Sequence, residues 1–533
     1  MTIGRLQKLP SQLYIYGVII LLSIAGTLLV LHRTAAFGVG LDTSDAVNYL
    51  SAARSFANGD GYLLSHDAVL QKWTPLFPTL LAVPTVVNID PLTTGRYLNA
   101  LAFGCTILLA GIWLSRNLEH KALVVLGTLS VFLAEPFVRI SSLLRTEPVY
   151  VVFTLLFCMS MSRFLVDQDR RSFGLVILWA ALATMQRPVG ASLIAVGGLL
   201  ILIALPRVSV SRRVLYAGAF GVLSSLPLAW WIIRNYSLNN TLMGHRESSS
   251  ISLRRSLDIV YGILQQWLAR GWWIPERITR VVPADLLMGG VLLVVIVGFG
   301  IRLRHWERIA PEQRLRLITV AMVSVAYLVF LIITSTTIFT GLAFEMDRFV
   351  LPVYALFLWL GFWGLDNLVS AIKPRLPNSK ALLLVGVGLS LVWISASTIR
   401  HIRVFANQVP SSMYSESAWH DSELMQWVRD ELPEGTIYSN DQLAVYVLAG
   451  RRARRAPLRN DYGSVDNLGD FVTTVRAQGP NVFFVMFNDK YVKLGLSSYY
   501  HFPQNYFTAE ELASVMDLEL LADLDDGACY RLK

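Results

Sequence analysis

The first 400 residues are a succession of apolar runs separated by short polar stretches. Leu13 to Leu31 is the first run, and ten more follow at 97–115, 121–138, 147–165, 172–186, 188–205, 214–233, 286–301, 317–338, 349–369 and 381–399. A helix of about 20 apolar residues crosses the hydrocarbon core of a bilayer, so the pattern predicts about eleven transmembrane helices. The runs at 172–186 and 188–205 are short and meet at Gln186-Arg187-Pro188. They predict either two crossings or one broken hairpin.

From about Ser411 the period changes. A helix over Asp421 to Glu431, a strand over Thr436 to Ser439, a short helix and the basic run Gly450 to Arg455 are followed by a helix over 465–477. A strand over Val482 to Phe487, a helix over 508–516 and a final strand pair complete the pattern, which is that of a small α/β domain. The sequence thus divides into a transmembrane module, 1–400, with extramembrane loops at 33–95 and 234–285, and a C-terminal soluble domain, 401–533.

Hydrophobic residues make up 54% of the chain and charged residues 16%, the balance of a polytopic membrane protein. The net charge of +9 does not point to nucleic acid, because most Arg and Lys flank the spans. Arg5 and Lys8; Arg116 and Lys121; Arg163, Arg170 and Arg171; Arg207, Arg212 and Arg213; Arg302 to Arg316; and Lys373, Arg375 and Lys380 all fall on one side when the spans alternate. The positive-inside rule makes that side the cytoplasm. The N-terminus is then cytoplasmic, and an odd number of spans puts the C-terminal domain and the loop after the first span on the extracytoplasmic face of the cell (inner or plasma) membrane. The first run lacks a small-residue cleavage site and is expected to be a retained helix. Cys105 and Cys158 fall in apolar runs and Cys529 stands alone, so no disulfide framework and no Cys-based metal site is expected. No Walker or dinucleotide-type glycine loop occurs, which speaks against a nucleotide-sugar donor or ATP-driven transport.

The polar stretch Asp42 to Pro78 is placed between two spans. Ser44 is suited to cap a helix on which Asp45, Tyr49, Ala52 and Phe56 share a face. Asp45 would then lie at the positive end of the helix dipole, which favours its ionised form. That suits a base, a metal ligand or simply a good first-turn residue. Asn58-Gly59-Asp60-Gly61 makes a turn, and Lys72-Trp73-Thr74-Pro75 leads to Pro78, the two prolines predicting an extended stretch between them.

Asp45, Tyr49, the Gly59-x-Gly61 turn and the run Trp73-x-Pro75-Leu76-x-Pro78-x-Leu80-Leu81 together resemble the first external loop of polyprenyl-phosphate-dependent GT-C glycosyltransferases, the bacterial protein-mannosyltransferase-like and aminoarabinose-transferase-like enzymes. The resemblance extends through the spans as scattered short motifs. Arg145-Thr146-Glu147-Pro148 is similar to a second acidic motif of that family, Trp231-x-x-Arg234-Asn235 to its Trp-x-x-Arg-Asn segment, and Arg348-x-x-x-Pro352 to the start of a late span, with Arg187-Pro188 alike. Ser439 to Arg451 resembles a run in the C-terminal domains of bacterial relatives.

The resemblance implies a GT-C membrane protein that moves a hexosyl or pentosyl group from a polyprenyl phosphate to an acceptor hydroxyl of a lipid, polysaccharide or protein, with inversion. It implies Asp45 as the base, with Asp42 as rival, Glu147 as the second acidic residue, and Tyr49, Trp73 and Asp347 lining the substrate. Arg binds phosphate bidentately and stays charged, so Lys72, Arg187, Arg234 and Arg348 are candidates to hold the donor phosphate, with Arg139 and Arg145 secondary. On residues alone, an ion pair of Arg139 or Arg145 with Glu147 explains that segment equally well, and Arg234 fits an interfacial anchor flanked by belt residues Trp230 and Trp231. Trp267, Trp272 and Trp273 beside Arg270 and Arg277 suit an interfacial helix. No cofactor is required, although Asp42, Asp45 and Glu147 are compatible with Mg²⁺ or Mn²⁺. The competing classes are a transporter or flippase of lipid-linked sugars, which needs no base, and a ligase using a polyprenyl-pyrophosphate glycan.

Overall fold

The structure, a computed structural model, describes residues 9–35, 39–206, 208–244, 248–265, 284–304, 307, 309–338, 342–372, 414, 419, 421–459, 468–494 and 505–533. The run expected at 381–399, the Trp-rich segment 267–277 and the side chain of Asp347 lie outside the described residues.

In chain order the helices are α1 (Leu9–Arg33), α2 (Ser44–Ala57), α3 (Leu76–Ala82), α4 (Pro91–Asn117), α5 (Lys121–Phe132), α6 (Glu135–Ser141) and α7 (Glu147–Asp167). Next come α8 (Arg170–Gln186), α9 (Ala191–Ala204), α10 (Val210–Asn239), α11 (Leu253–Gln265), α12 (Ala284–Leu303), α13 (Pro311–Thr337) and α14 (Leu342–Ile372). The C-terminal part runs α15 (Glu423–Asp430), β1 (Thr436–Ser439), α16 (Gln442–Ala449), β2 (Ala453–Arg455), α17 (Leu468–Arg476), β3 (Val482–Phe487), α18 (Asp489–Leu494), α19 (Ala509–Ala513), β4 (Leu518–Leu524) and β5 (Gly527–Leu532). Two compact units result. The first is drawn from Met1–Arg33, Gln71–Leu76 and Tyr97–Gln408, the second from Thr34–Leu70, Phe77–Arg96 and Val409–Lys533.

The first unit is the helical one. Among the described residues six helices are long and apolar enough to cross a membrane, and α5 with α6, bent by 42°, makes a seventh if the pair is one span. Their inward faces form a core that includes Phe103, Phe157, Met161, Phe220, Tyr327 and Trp363. Trp113 stacks on Trp359 with centroids 5.3 Å apart. The helices α12 and α14 meet backbone to backbone: a Cβ on Gly298 would lie 2.0 Å from the Gly364 carbonyl oxygen, so no other residue fits there.

Prolines break these helices where the sequence places them. Arg187 precedes Pro188, whose ring disfavours the helical conformation for the residue before it. Arg187 is accordingly extended (φ −151°, ψ 137°), ending α8 before a short turn of Pro188–Gly190 and then α9. Pro352 lies inside α14 and takes the helical N–H away from the Arg348 carbonyl. The next carbonyl, that of Phe349, accepts a hydrogen bond from the Tyr327 hydroxyl at 2.6 Å.

In the second unit a five-stranded sheet has the order β2-β1-β3-β5-β4. The first three strands are parallel, β5 runs antiparallel to them, and the edge strand β4, antiparallel to β5, again runs in their direction. Tyr438, Phe484, Leu512 and Met516 lie in its core. The same unit contains α2 and a hairpin over residues 62–70, closed by Leu70 N to Tyr62 O at 2.8 Å and Leu64 N to Ala68 O at 2.8 Å. Two local expectations are corrected. Thr43, not Ser44, caps α2, its side chain accepting from Ala46 N at 3.4 Å. The stretch between Pro75 and Pro78 is helical, because Pro78 falls in the first turn of α3, where a backbone N–H has no intrahelical partner to lose.

Asp526, 3% exposed in the β4–β5 turn, accepts from Leu424 N at 3.1 Å and from the Ser422 hydroxyl that caps α15. Replacing it with Ala should destabilise this unit by roughly 2–3 kcal/mol, since hydrogen bonds to a buried carboxylate are the strong ones. Thermal unfolding of the purified variant checks this.

Candidate functional site

The first unit buries an ionic triad. Glu147 starts α7 with Pro148 behind it, in the first turn, where the helix dipole favours a carboxylate. Arg187, turned out of helix by Pro188, forms an ion pair with Glu147. Arg348, on α14, places its Nε 3.8 Å from the same carboxylate oxygen. The side chains are 1% (Glu147), 10% (Arg187) and 8% (Arg348) exposed, so three formal charges share one dry place. Phe349 lies under both cations, 5.0 Å from the Arg187 guanidinium and 4.6 Å from that of Arg348. Thr146 donates to the second Glu147 oxygen at 3.3 Å, and Gln186 donates to the Thr146 carbonyl at 3.1 Å.

Two cations gather on one carboxylate inside the helical unit. Ionisable groups within membrane helices are costly and collect where a protein handles charge, and guanidinium forks suit a phosphate. The Glu147 carboxylate also orients both forks. Of the arginines weighed from sequence as partners of Glu147, Arg139 pairs with Glu135, Nε to Oε1 3.2 Å, one turn away on α6, while Glu147 is met by Arg187 and Arg348. Arg145 is buried at 4% exposure.

A second group of candidates in the first unit is held by Asn235. Its amide donates at 3.2 Å to the carbonyls of Gln71 and Leu242, fastening the segment that carries Lys72 and Trp73 to the end of α10. Lys72 lies 5.5 Å above the Trp73 ring. Arg234 lies 4.3 Å over Trp231 and donates to Asn235 at 3.0 Å, while Trp230 is 63% exposed and Trp231 is buried. The two tryptophans expected as a pair of belt residues thus divide, one facing outward and one forming the bed of Arg234.

In the second unit Asp45 occupies the first turn of α2 and is half-buried, as is Asp42 just before the helix. Tyr49, one turn on, packs edge-on against Phe77 at 5.4 Å and is 6% exposed. Asn48 accepts from the Ser65 hydroxyl at 3.1 Å, and Ser51 donates to the Leu63 carbonyl at 3.2 Å. The basic run is dispersed: Arg451 donates to the carbonyls of Leu432 and Pro433 beyond α15, and Arg452 pairs with Asp67 at 3.2 Å. At the hairpin tip, desolvation and then the fields of Arg454 and Arg455 hold the pKa of His66 below its ordinary value, against the opposing pull of Asp67.

Among the described residues no three His, Cys, Asp or Glu are grouped to hold a metal ion. The Glu147 carboxylate is engaged by arginines, a poor fit to a hard cation that needs free carboxylate oxygens. Sequence reasoning found Glu147, Arg187 and Arg348 separately. It missed Phe349, Tyr327 and Asn48, whose signals are ordinary apolar or helical ones.

No protein-family model matches the chain, and no curated protein matches it in sequence. Solved structures do match in fold. ArnT from Cupriavidus metallidurans in the apo state is 12% identical, with a TM-score of 0.57, covering 97% of this chain and 98% of that one. The same protein bound to undecaprenyl phosphate gives 14% identity and a TM-score of 0.56 over 96% and 97%. The arabinofuranosyltransferase AftD from Mycobacteria gives 13% identity and a TM-score of 0.52, covering 96% of this chain and 40% of that one. The chain therefore has the GT-C fold of these proteins over nearly its whole length.

Two predictions follow from the geometry. Glu147→Ala leaves two buried cations facing each other and should cost roughly 3–5 kcal/mol of stability, read as a large fall in melting temperature, with Glu147→Gln less affected. The folded pKa of His66 lies below the unfolded one, so the folded state binds fewer protons. Stability should decline as pH falls below about 6.5 and level off under the folded pKa; His66→Gln should flatten that slope between pH 7 and 5.

Proposed function

We propose that the protein is an inverting glycosyltransferase that takes a sugar from a polyprenyl-phosphate donor and passes it to an acceptor hydroxyl on the extracytoplasmic face of the membrane. The observation that carries this is the buried pair Arg187 and Arg348 gathered on Glu147 inside a helical bundle of GT-C fold. ArnT, a protein of the same fold, has been solved with undecaprenyl phosphate bound, which favours a lipid-linked phosphate as the ligand of these guanidiniums.

The chemistry follows from the leaving group. A polyprenyl phosphate departs as a stable anion, so catalysis needs cations where charge develops and no strong general acid. Arg187 and Arg348 take that place, fixed by Glu147 and the Phe349 face, with Lys72 and Arg234 as further cations and Arg139 and Arg145 as secondary candidates. Asp45, with Asp42 as rival, deprotonates or orients the acceptor hydroxyl, which attacks the anomeric carbon opposite the phosphate as the C–O bond to phosphate breaks. The electron pair of that bond leaves with the phosphate, and configuration inverts. The apolar spans, eleven with the run at 381–399 counted, hold the isoprenoid tail, with the N-terminus cytoplasmic and the α/β domain outside. Mg²⁺ or Mn²⁺ is not needed for any of these steps.

The test is turnover by purified protein on a panel of polyprenyl-phosphate sugars. Asp45→Asn should lower kcat by about 100-fold or more with donor binding kept. Arg348→Gln should lower kcat/KM by a similar, roughly 100-fold factor, the scale seen when one stabilising donor is removed. Transport of lipid-linked sugar across liposomes without turnover would instead make the protein a flippase.

A further inference from the structure

On the basis of the glycosyl-transfer assignment above, we infer that the C-terminal α/β domain positions the Asp45 helix through the hairpin at residues 62–70, with Asn48, Ser65 and Arg452 as positioning residues. All of these groups belong to one compact unit.

The linkage is continuous. Asn48 is three residues after Asp45 on α2, a spacing that puts both on one side of the helix. Its side-chain oxygen accepts from the Ser65 hydroxyl at 3.1 Å, with Asn48 6% and Ser65 0% exposed. Ser51, another turn along α2, donates to the Leu63 carbonyl at 3.2 Å. The hairpin is thus fixed to the helix at two places one turn apart.

The hairpin's other side meets the sheet. The edge strand β2 directs the Ala453 N–H to the Ser65 carbonyl at 3.2 Å, while Ala453 itself pairs in register with Ile437 of β1. Next to it, Arg452 holds Asp67, a residue in the left-handed region (φ 66°) at the hairpin tip. Left-handed backbone is costly for a residue with a side chain, and it turns Asp67 into the bend where Arg452 reaches it. An open edge strand invites foreign strands; here the edge is met by the hairpin that carries the Asp45 helix. Part of the basic run from Arg451 to Arg455 is therefore spent on this contact and on the carbonyls beyond α15, which accounts for the run without an anionic ligand.

Positioning predicts a loss in turnover rather than in donor affinity, since misplacing a reacting group by a fraction of an ångström is felt in the chemical step. The variants are Ala453→Pro, which removes the outward N–H of an edge strand, where proline is tolerated, Asp67→Arg, Arg452→Asp and the double exchange. Amide hydrogen exchange within 44–57 should quicken by about 10-fold in Ala453→Pro and in each single charge variant, while residues 482–487 keep their protection. In the same variants kcat should fall by about 10-fold with KM for the donor within about twofold, and the double exchange should recover most of it. Unchanged exchange in 44–57, or kcat unchanged where exchange has quickened, overturns the inference. Loss of protection in 482–487 along with 44–57 overturns it too, for the variant has then merely unfolded the sheet. If the unaltered protein turns over no donor, the glycosyl-transfer assignment falls, and the exchange rates alone still decide whether the sheet edge holds the helix.

Discussion

A carboxylate and two guanidiniums inside a bundle of apolar helices are the constraint on which the helical unit depends. Each charge is expensive to bury alone. Their mutual attraction ties together the start of α7, the break between α8 and α9, and the second turn of α14, three places far apart in sequence. Prolines make this geometry available. Pro148 lets Glu147 sit in a first turn, Pro188 turns Arg187 out of helix, and Pro352 loosens the backbone of α14 where Arg348 and Phe349 meet the group. The same breaks that would weaken a simple span here aim side chains.

The triad also explains why the site has its sign. Glu147 holds both forks in place and gathers two cations where an anionic ligand would meet them. A carboxylate ligand would meet the same charge, but the pairing of two planar forks over one ring is better suited to the several oxygens of a phosphate. For the proposed donor, the apolar helices around it supply what a soluble scaffold lacks, a solvent for an isoprenoid tail.

Much of this was legible in the sequence, and the reasons differ by element. The apolar runs fall on helices wherever the described residues cover them, and six of those helices, or seven with the bent pair α5 and α6, are long and apolar enough to cross a membrane. Strands β1 and β3 fell at the residues expected, 436–439 and 482–487, where short β-branched or aromatic runs are bounded by turn residues. Glu147 and Arg187 were visible as charges beside a proline, and Arg348 as a charge four residues before one. That Arg187 and Arg348 converge on Glu147 was not visible, because spacing along one helix says nothing about which distant helix faces it. Asn48 was hidden for a similar reason: an Asn in mid-helix signals weak propensity, and its role appears only once the hairpin is in place. The cap of α2 moved by one residue to Thr43, an ambiguity inherent in a Thr-Ser-Asp run where each residue type is able to cap.

Binding of polyprenyl phosphate compared with the uncharged polyprenol tests the central claim most directly. The account predicts that the purified protein binds the phosphate and not the alcohol, and that Arg348→Gln weakens phosphate binding by about 10-fold or more, the scale of one charge-assisted fork. Equal binding of phosphate and alcohol, or undiminished phosphate binding in Arg348→Gln and Arg187→Gln alike, would contradict it.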